Sequence, residues 1–203
     1  MKLGFGLITC QRYPGETRSD EELYADALEL AALAEELGFD SVWVSEHHFV
    51  DDGYLPSLLP MCAAIAARTD RIEIGTGLLL ITLHDPLRIA EDAAAVDLLS
   101  RGRLILGLGL GWREEEFDGF GVLLAKRGRR LEEAVDVLRR AWRGEAASSG
   151  GAPVYVTPRP GRPGGPPIWI GAEAEPAVRR AGRIADGFIG GGETPAVFAQ
   201  QAL

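Results

Sequence analysis

The sequence predicts an α/β protein made of consecutive βα units around a parallel sheet. Three observations predict it. Short apolar runs alternate with longer segments whose apolar residues recur at helical spacing. Glycine or proline stands at most of the junctions. The alternation itself, strand then amphipathic helix, is what parallel pairing requires. At 203 residues, 46% of them hydrophobic, the chain can bury one substantial core.

Leu3–Thr9 reads as the first strand, and a loop with Pro14 and Gly15 leads into a helix from about Asp20 to Leu37. Leu23, Ala27, Leu30, Ala31, Ala34 and Leu37 form its apolar stripe, with Glu21, Glu22, Glu29 and Glu36 largely off it. Gly38 stands where a helix end needs a left-handed residue. Ser41–Ser45 is the second strand, followed directly by Glu46, His47 and His48. The pattern repeats with a helix over Ser57–Arg68 (Ser57 a candidate cap), a strand over Ile72–Leu80 and a helix over Leu87–Leu99 behind Pro86. Arg103–Leu110 is the fourth strand and Arg130–Trp142 the next helix.

Residues 146–167 are rich in glycine, proline and serine and read as a long connection, with Val154–Thr157 a brief extended segment. A strand over Pro167–Gly171, a helix over Pro176–Ile184 and a strand over Gly187–Gly190 resume the rhythm. Thr194 and Pro195 read as the cap and first turn of one more helix. Six βα units result, five complete and one cut short. Periodicity alone leaves both an open doubly wound sheet and a barrel available.

Charge and cysteine usage narrow the partners. The net charge of −9 disfavours a phosphate-backbone partner, and no basic run interleaved with aromatics suggests a nucleic-acid groove. The run Leu3–Cys10 is too short and glycine-rich to span a membrane and lacks a cleavage region. Cys10 and Cys62 lie far apart without a CxxC unit, which favours reduced thiols and a cytoplasmic setting, with Cys62 buried.

In a parallel α/β protein ligands gather outside the carboxyl ends of the strands. The second strand ends in Glu46–His47–His48, and alternation sends Glu46 and His48 one way and His47 the other. A histidine there suits proton donation or hydrogen bonding to a cofactor, because its reference pKa is near neutral. The bland alternative is a pair of histidines bonded to backbone. Glu46, His48 and His84 make a conceivable zinc triad, but no spacing motif supports it, and no metal is expected.

Gly75 and Gly77 suit close approach of a planar ligand or a strained peptide bond, with a bulge or a packing accommodation as the plain reading. Gly107, Gly109 and Gly111 form GxGxG, without the spacing of a dinucleotide fingerprint. Asp85 reads as a helix cap. Trp112 could wall a ring pocket or cover the rim, and three glutamates follow Arg113. Lys126, Arg127, Arg129 and Arg130 read first as a solvated basic face and second as an anion contact.

At these strand ends the sequence resembles the bacterial-luciferase-like family of flavin-dependent monooxygenases and F420-dependent oxidoreductases. Gly38–Trp43, Glu46–His47–His48–Phe49, Ile74–Leu78, Asp85–Asp92, Leu98–Arg103, Leu106–Gly109, Phe120–Gly121 and Arg179–Ala181 carry the resemblance in order. It implies a TIM (β/α)₈ barrel, cut short after about six units, so that residues 1–203 form a single barrel domain lacking the last two. It implies reduced FMN, or coenzyme F420 in one branch, lying across the strand ends against Gly77, Leu78, Gly109, Trp112, Gly171 and Ala172.

The resemblance also implies a non-prolyl cis peptide at Gly77–Leu78. His47, with His48 beside it, becomes the catalytic candidate, steering or protonating a flavin-bound peroxide and its products. The Glu–His–His–Phe run is closer to the luciferase branch, so FMN and O₂ acting on a small organic substrate are expected. A flavin reductase would supply reduced flavin and a homodimer would be the intact form. F420-dependent hydride transfer or a catalytically silent subunit is the alternative. Leu110 stands where luciferase carries a phosphate-holding arginine, and Glu173 and Glu175 stand in a loop where the family commonly offers glycine and serine.

Overall fold

A computed structural model describes residues 1–191. Six strands run in the order β1 to β6, every pairing parallel: β1 Gly4–Ile8, β2 Ser41–Val44, β3 Glu73–Thr76, β4 Leu104–Leu108, β5 Ile168–Gly171 and β6 Gly187–Ile189. The helices are α1 Asp20–Glu36, α2 Leu58–Arg68, α3 Pro86–Leu99, α4 Glu114–Gly119, α5 Arg127–Arg143 and α6 Glu175–Ile184. Helices α1, α2, α3, α5 and α6 pack each on the next and cover the outer face of the sheet.

The sheet is curled. Trp43 on β2 and Trp169 on β5 have ring centroids 5.5 Å apart, although two strands separate β2 from β5. In a flat sheet three strand spacings of about 4.8 Å would hold them roughly 14 Å apart. Each indole lies across a glycine on the next strand, in register: Trp43 beside Gly75, Trp169 beside Gly187. A Cβ on Gly75 would overlap the Trp43 ring, and one on Gly187 would come within 2.5 Å of Trp169 Nε1. Gly75 therefore accommodates packing and does not bare the strand for a ligand. Among the described residues β1 and β6 are the edges of this sheet.

The core fills the layer between strands and helices. All five residues of β4 are buried, as a strand covered on both faces requires. Ile74, Leu104, Leu106, Ile65 and Leu138 are fully enclosed. The Arg103 guanidinium gathers the amino end of the sheet, donating to the carbonyls of Ala66, Thr69, Ile72 and Ser100 and to the Thr69 hydroxyl at 2.7–3.1 Å.

Most helix boundaries have local causes. Ser19 and Glu22 close a reciprocal capping box on α1. Gly38 takes φ 84° just beyond that helix. Asp85 accepts the Leu87 and Arg88 amides ahead of Pro86. Ser57 makes no side-chain cap bond, contrary to its sequence reading. Strand β3 ends at Thr76, short of the expected Leu80; beyond it only Leu79 bridges to Leu108, and Ile81–Leu83 forms a 3-10 turn.

Helix α5 begins at Arg127, three residues earlier than expected, and α4 was not anticipated at all. In the connection to β5, Val154 pairs with Ala147 in an isolated antiparallel bridge. The helix expected at Thr194 and Pro195 lies outside the described residues. Among those described, no helix is long and apolar enough to cross a membrane. Both cysteines are buried and free, and burial pushes Cys62 up to about 12 and Cys10 to about 11.

Candidate active site at the carboxyl ends of the strands

Past Val44 the chain stays extended: the Ser45 amide donates to Ile8 and the His47 amide to Leu55. Successive side chains therefore diverge, and the expected split is present. Glu46 and His48 point to one side and His47 to the other.

On the first side Glu46 is enclosed. Its Oε1 meets His48 Nε2 at 2.5 Å and His84 Nε2 at 2.7 Å, and its Oε2 accepts the Leu80 amide at 2.9 Å. Burial opposes charge on this carboxyl most strongly, but the bonds from His48, His84 and Leu80 outweigh it and hold the group below the ordinary carboxylate range. The three side chains do converge as a metal-ligand set would. A tetrahedral zinc with ligands at about 2.0–2.1 Å needs donor atoms roughly 3.3 Å apart. The observed separations are hydrogen-bond distances, and Glu46 is a carboxylate shared by two imidazoles. His48 is buried beneath Phe120, ring centroids 4.8 Å apart.

On the other side His47 is partly exposed, its side chain 24% accessible. Its ring meets the Tyr54 ring edge-on at 4.8 Å and that of Trp112 at 6.2 Å. Trp112, 72% exposed, stands at the rim rather than in the core. His47 Nδ1 lies 2.8 Å from Glu116 Oε1, which also accepts the His48 amide at 2.9 Å.

The residues expected to bind a cofactor fall into two groups. Gly77, Leu78, Gly109 and Gly171 surround one apolar feature. The Gly77–Leu78 peptide is cis. A Cβ on Gly109 would crowd Leu78 at 3.1 Å, one on Gly171 would overlap it, and one on Gly77 would reach Leu7 Cδ2 at 2.9 Å. The glycines thus make room for two leucines, Leu7, 55% exposed, and the half-buried Leu78, which form an apolar shelf. Trp112 stands apart, beside His47. Ala172 follows β5, its amide bonded to the Ile189 carbonyl.

An apolar surface with a few polar groups at its margin is the kind of support that a flavin or deazaflavin ring requires. The loop after β5 is less acidic than its sequence suggests, because Glu175 pairs with Arg179 at 2.7 Å along α6. Leu110 packs against the core and offers no charge. Of the basic cluster, Arg130 donates to the Thr82 carbonyl and Arg127 to that of Leu124, while Arg129 pairs with Glu133 in solvent.

The residue that sequence reasoning missed is Glu116. It sits third in a run of glutamates, and only α4 distinguishes it: Glu114 and Glu115 are exposed, whereas Glu116 is fully buried.

A curled parallel βα sheet with ionisable residues at its strand ends defines the class, a barrel-type protein with its site at the carboxyl face. Comparison with known proteins is more particular. Residues 1–202 match the family model described as luciferase-like monooxygenase, and the chain belongs to that family. It is 36% identical to an F420-dependent glucose-6-phosphate dehydrogenase of Nakamurella multipartita, over 88% of this chain and 56% of the relative.

Among solved structures it is similar to the monooxygenase RslO1 of Streptomyces bottropensis, with a TM-score of 0.87 and 29% identity, over 100% of this chain and 66% of that one. The fold is also that of an F420-dependent secondary alcohol dehydrogenase, with a TM-score of 0.79 and 21% identity, over 99% of this chain and 63% of that one. The chain spans little more than half the length of the curated relatives it matches.

Proposed function

We propose that this chain forms the cofactor-facing part of an F420-dependent oxidoreductase that exchanges hydride with a small organic substrate. The observation that carries the reading is His47. Its ring is partly open at the carboxyl face, its Nδ1 is tied back to a buried carboxylate, and it stands beside Trp112. The Leu7–Leu78 shelf would support the ring system, and Gly77, Gly109 and Gly171 leave room for its two leucines. When bound, the deazaflavin supplies a two-electron acceptor for hydride. As hydride leaves a substrate carbon, the proton of the adjoining hydroxyl would pass to His47 Nε2, so that both hydrogens are accounted for. His48 would act behind it, locked to Glu46.

The Glu–His–His–Phe run pointed toward FMN. The F420-dependent relative at 36% identity supports the deazaflavin instead. FMN with O₂ and a separate flavin reductase is the second reading, favoured by the likeness to RslO1. Parallel fluorescence titrations with F420 and FMN separate the two. F420 is expected to bind at least about tenfold tighter, a difference of about 1.4 kcal/mol; tighter FMN binding would reverse the assignment. His47→Asn is expected to leave cofactor affinity within about threefold while lowering turnover about 10²-fold or more. Equal loss of binding and turnover would remove His47 from the proton-transfer role.

A further inference from the structure

Helix α4 buries a carboxylate that the packing of so short a helix does not require. Glu116 is inaccessible to solvent, and none of the described lysine or arginine side chains pairs with it. A carboxylate taken out of water costs several kcal/mol unless donors compensate. Two nitrogens converge on one oxygen, the His48 amide, which donates at 2.9 Å, and His47 Nδ1 at 2.8 Å. The other oxygen, Oε2, has no hydrogen-bond partner.

These contacts decide which way the proton lies. The His48 amide is a fixed donor, so Oε1 is an accepting oxygen. A proton on Oε2 would meet no acceptor, and one on Oε1 would face the ring nitrogen of an imidazole, by reference values the stronger base of the two. With Oε1 as carboxylate or as carbonyl oxygen alike, the hydrogen between it and the ring belongs to the ring, so His47 Nδ1 is the donor. We infer that Glu116 is a positioning residue, holding His47 in the Nδ1–H tautomer and leaving the Nε2 lone pair to the open face. Among the described residues Nε2 has no hydrogen-bond partner. The surroundings make the arrangement stiff: Phe49 packs over Gly119 and beside Phe120, clamping α4 to the segment that carries His47. The same logic, a buried carboxylate orienting a histidine through Nδ1–H, governs hydrolase triads. Its catalytic meaning rests on the reading of His47 given above.

The test is the tautomer, read without cofactor or substrate. Long-range ¹H–¹⁵N correlation of the imidazoles in the whole chain, with His47 assigned by the loss of its signals in His47→Gln, is expected to show neutral His47 protonated on Nδ1. Glu116→Gln should keep that tautomer, since the His48 amide holds the amide oxygen in the Oε1 position. Glu116→Ala should lose it. An Nε2–H tautomer in the unaltered chain, or an Nδ1–H tautomer that persists in a folded Glu116→Ala, would overturn the inference. If Glu116→Ala does not fold, the unaltered chain and Glu116→Gln still decide. Neither result depends on whether F420 or FMN binds, so failure of the cofactor assignment stays distinguishable from failure here.

Discussion

Adjacent histidines with nearly the same sequence signature have opposite surroundings, and the difference comes from two glutamates. Glu46 is placed by its own strand and takes His48 inward; Glu116 comes from a separate helix and takes His47 from the rim. For Glu46 the consequence is a dependence on pH. Its carboxyl in the fold lies below the ordinary value of 4.5. The charge therefore contributes stability above that value, and the contribution is lost as pH falls through 4.5 toward the folded value. Urea unfolding at a series of pH values should show stability declining on the acid side, with a shallower decline in Glu46→Gln. The same substitution should cost about 2–3 kcal/mol at neutral pH, because an amide in that place leaves a buried donor facing donors. An unchanged acid slope would mean that Glu46 gains nothing from its charge.

At the scale of elements, helices with a full apolar stripe and a cap were legible, whereas short pieces were not. The α1 capping box, Gly38 and Asp85–Pro86 each act within a few residues, so local sequence suffices to place them. Helix α4 has only six residues, too few for a period to show, and its place is set by contacts with Phe49, His47 and His48. Gly75 stays open in sequence between a ligand approach and a packing accommodation for a related reason: what lies over it is the neighbouring strand's Trp43, a partner that register supplies. Gly75→Ala is accordingly expected to destabilise the chain by about 1–3 kcal/mol through overpacking. Thermal unfolding measures this, and Gly75→Ala combined with Trp43→Phe should recover part of the loss. No recovery would show that the indole is not what the new methyl meets.

At the scale of the molecule the decisive contact is Trp43 with Trp169, since it requires the sheet to curl. A double-mutant cycle with Trp43→Leu and Trp169→Leu should give a coupling of about 0.5–1.5 kcal/mol, the range for aromatic pairs in direct contact. Residues three strands apart on a flat sheet would give none. Because every pairing is parallel, Leu7, His47, Leu78, Trp112 and Ala172 stand at or just past the carboxyl ends of β1 to β5, at one end of the sheet, although they are spread over most of the chain. That shared end underlies the proposed cofactor site.

The sequence by itself determined the order of the βα units, the parallel pairing that such an order entails, most helix ends, and the opposite directions of His47 and His48. Each depends on spacing of 3.6 or 2 residues or on a cap within a few positions, which is information local to the chain. Tertiary structure alone decided that Glu116, one of three consecutive glutamates, is the buried one and that Gly75 serves an indole. These depend on which distant groups approach, and a charge or a glycine reads alike in sequence whether it meets solvent, a ring or another charge.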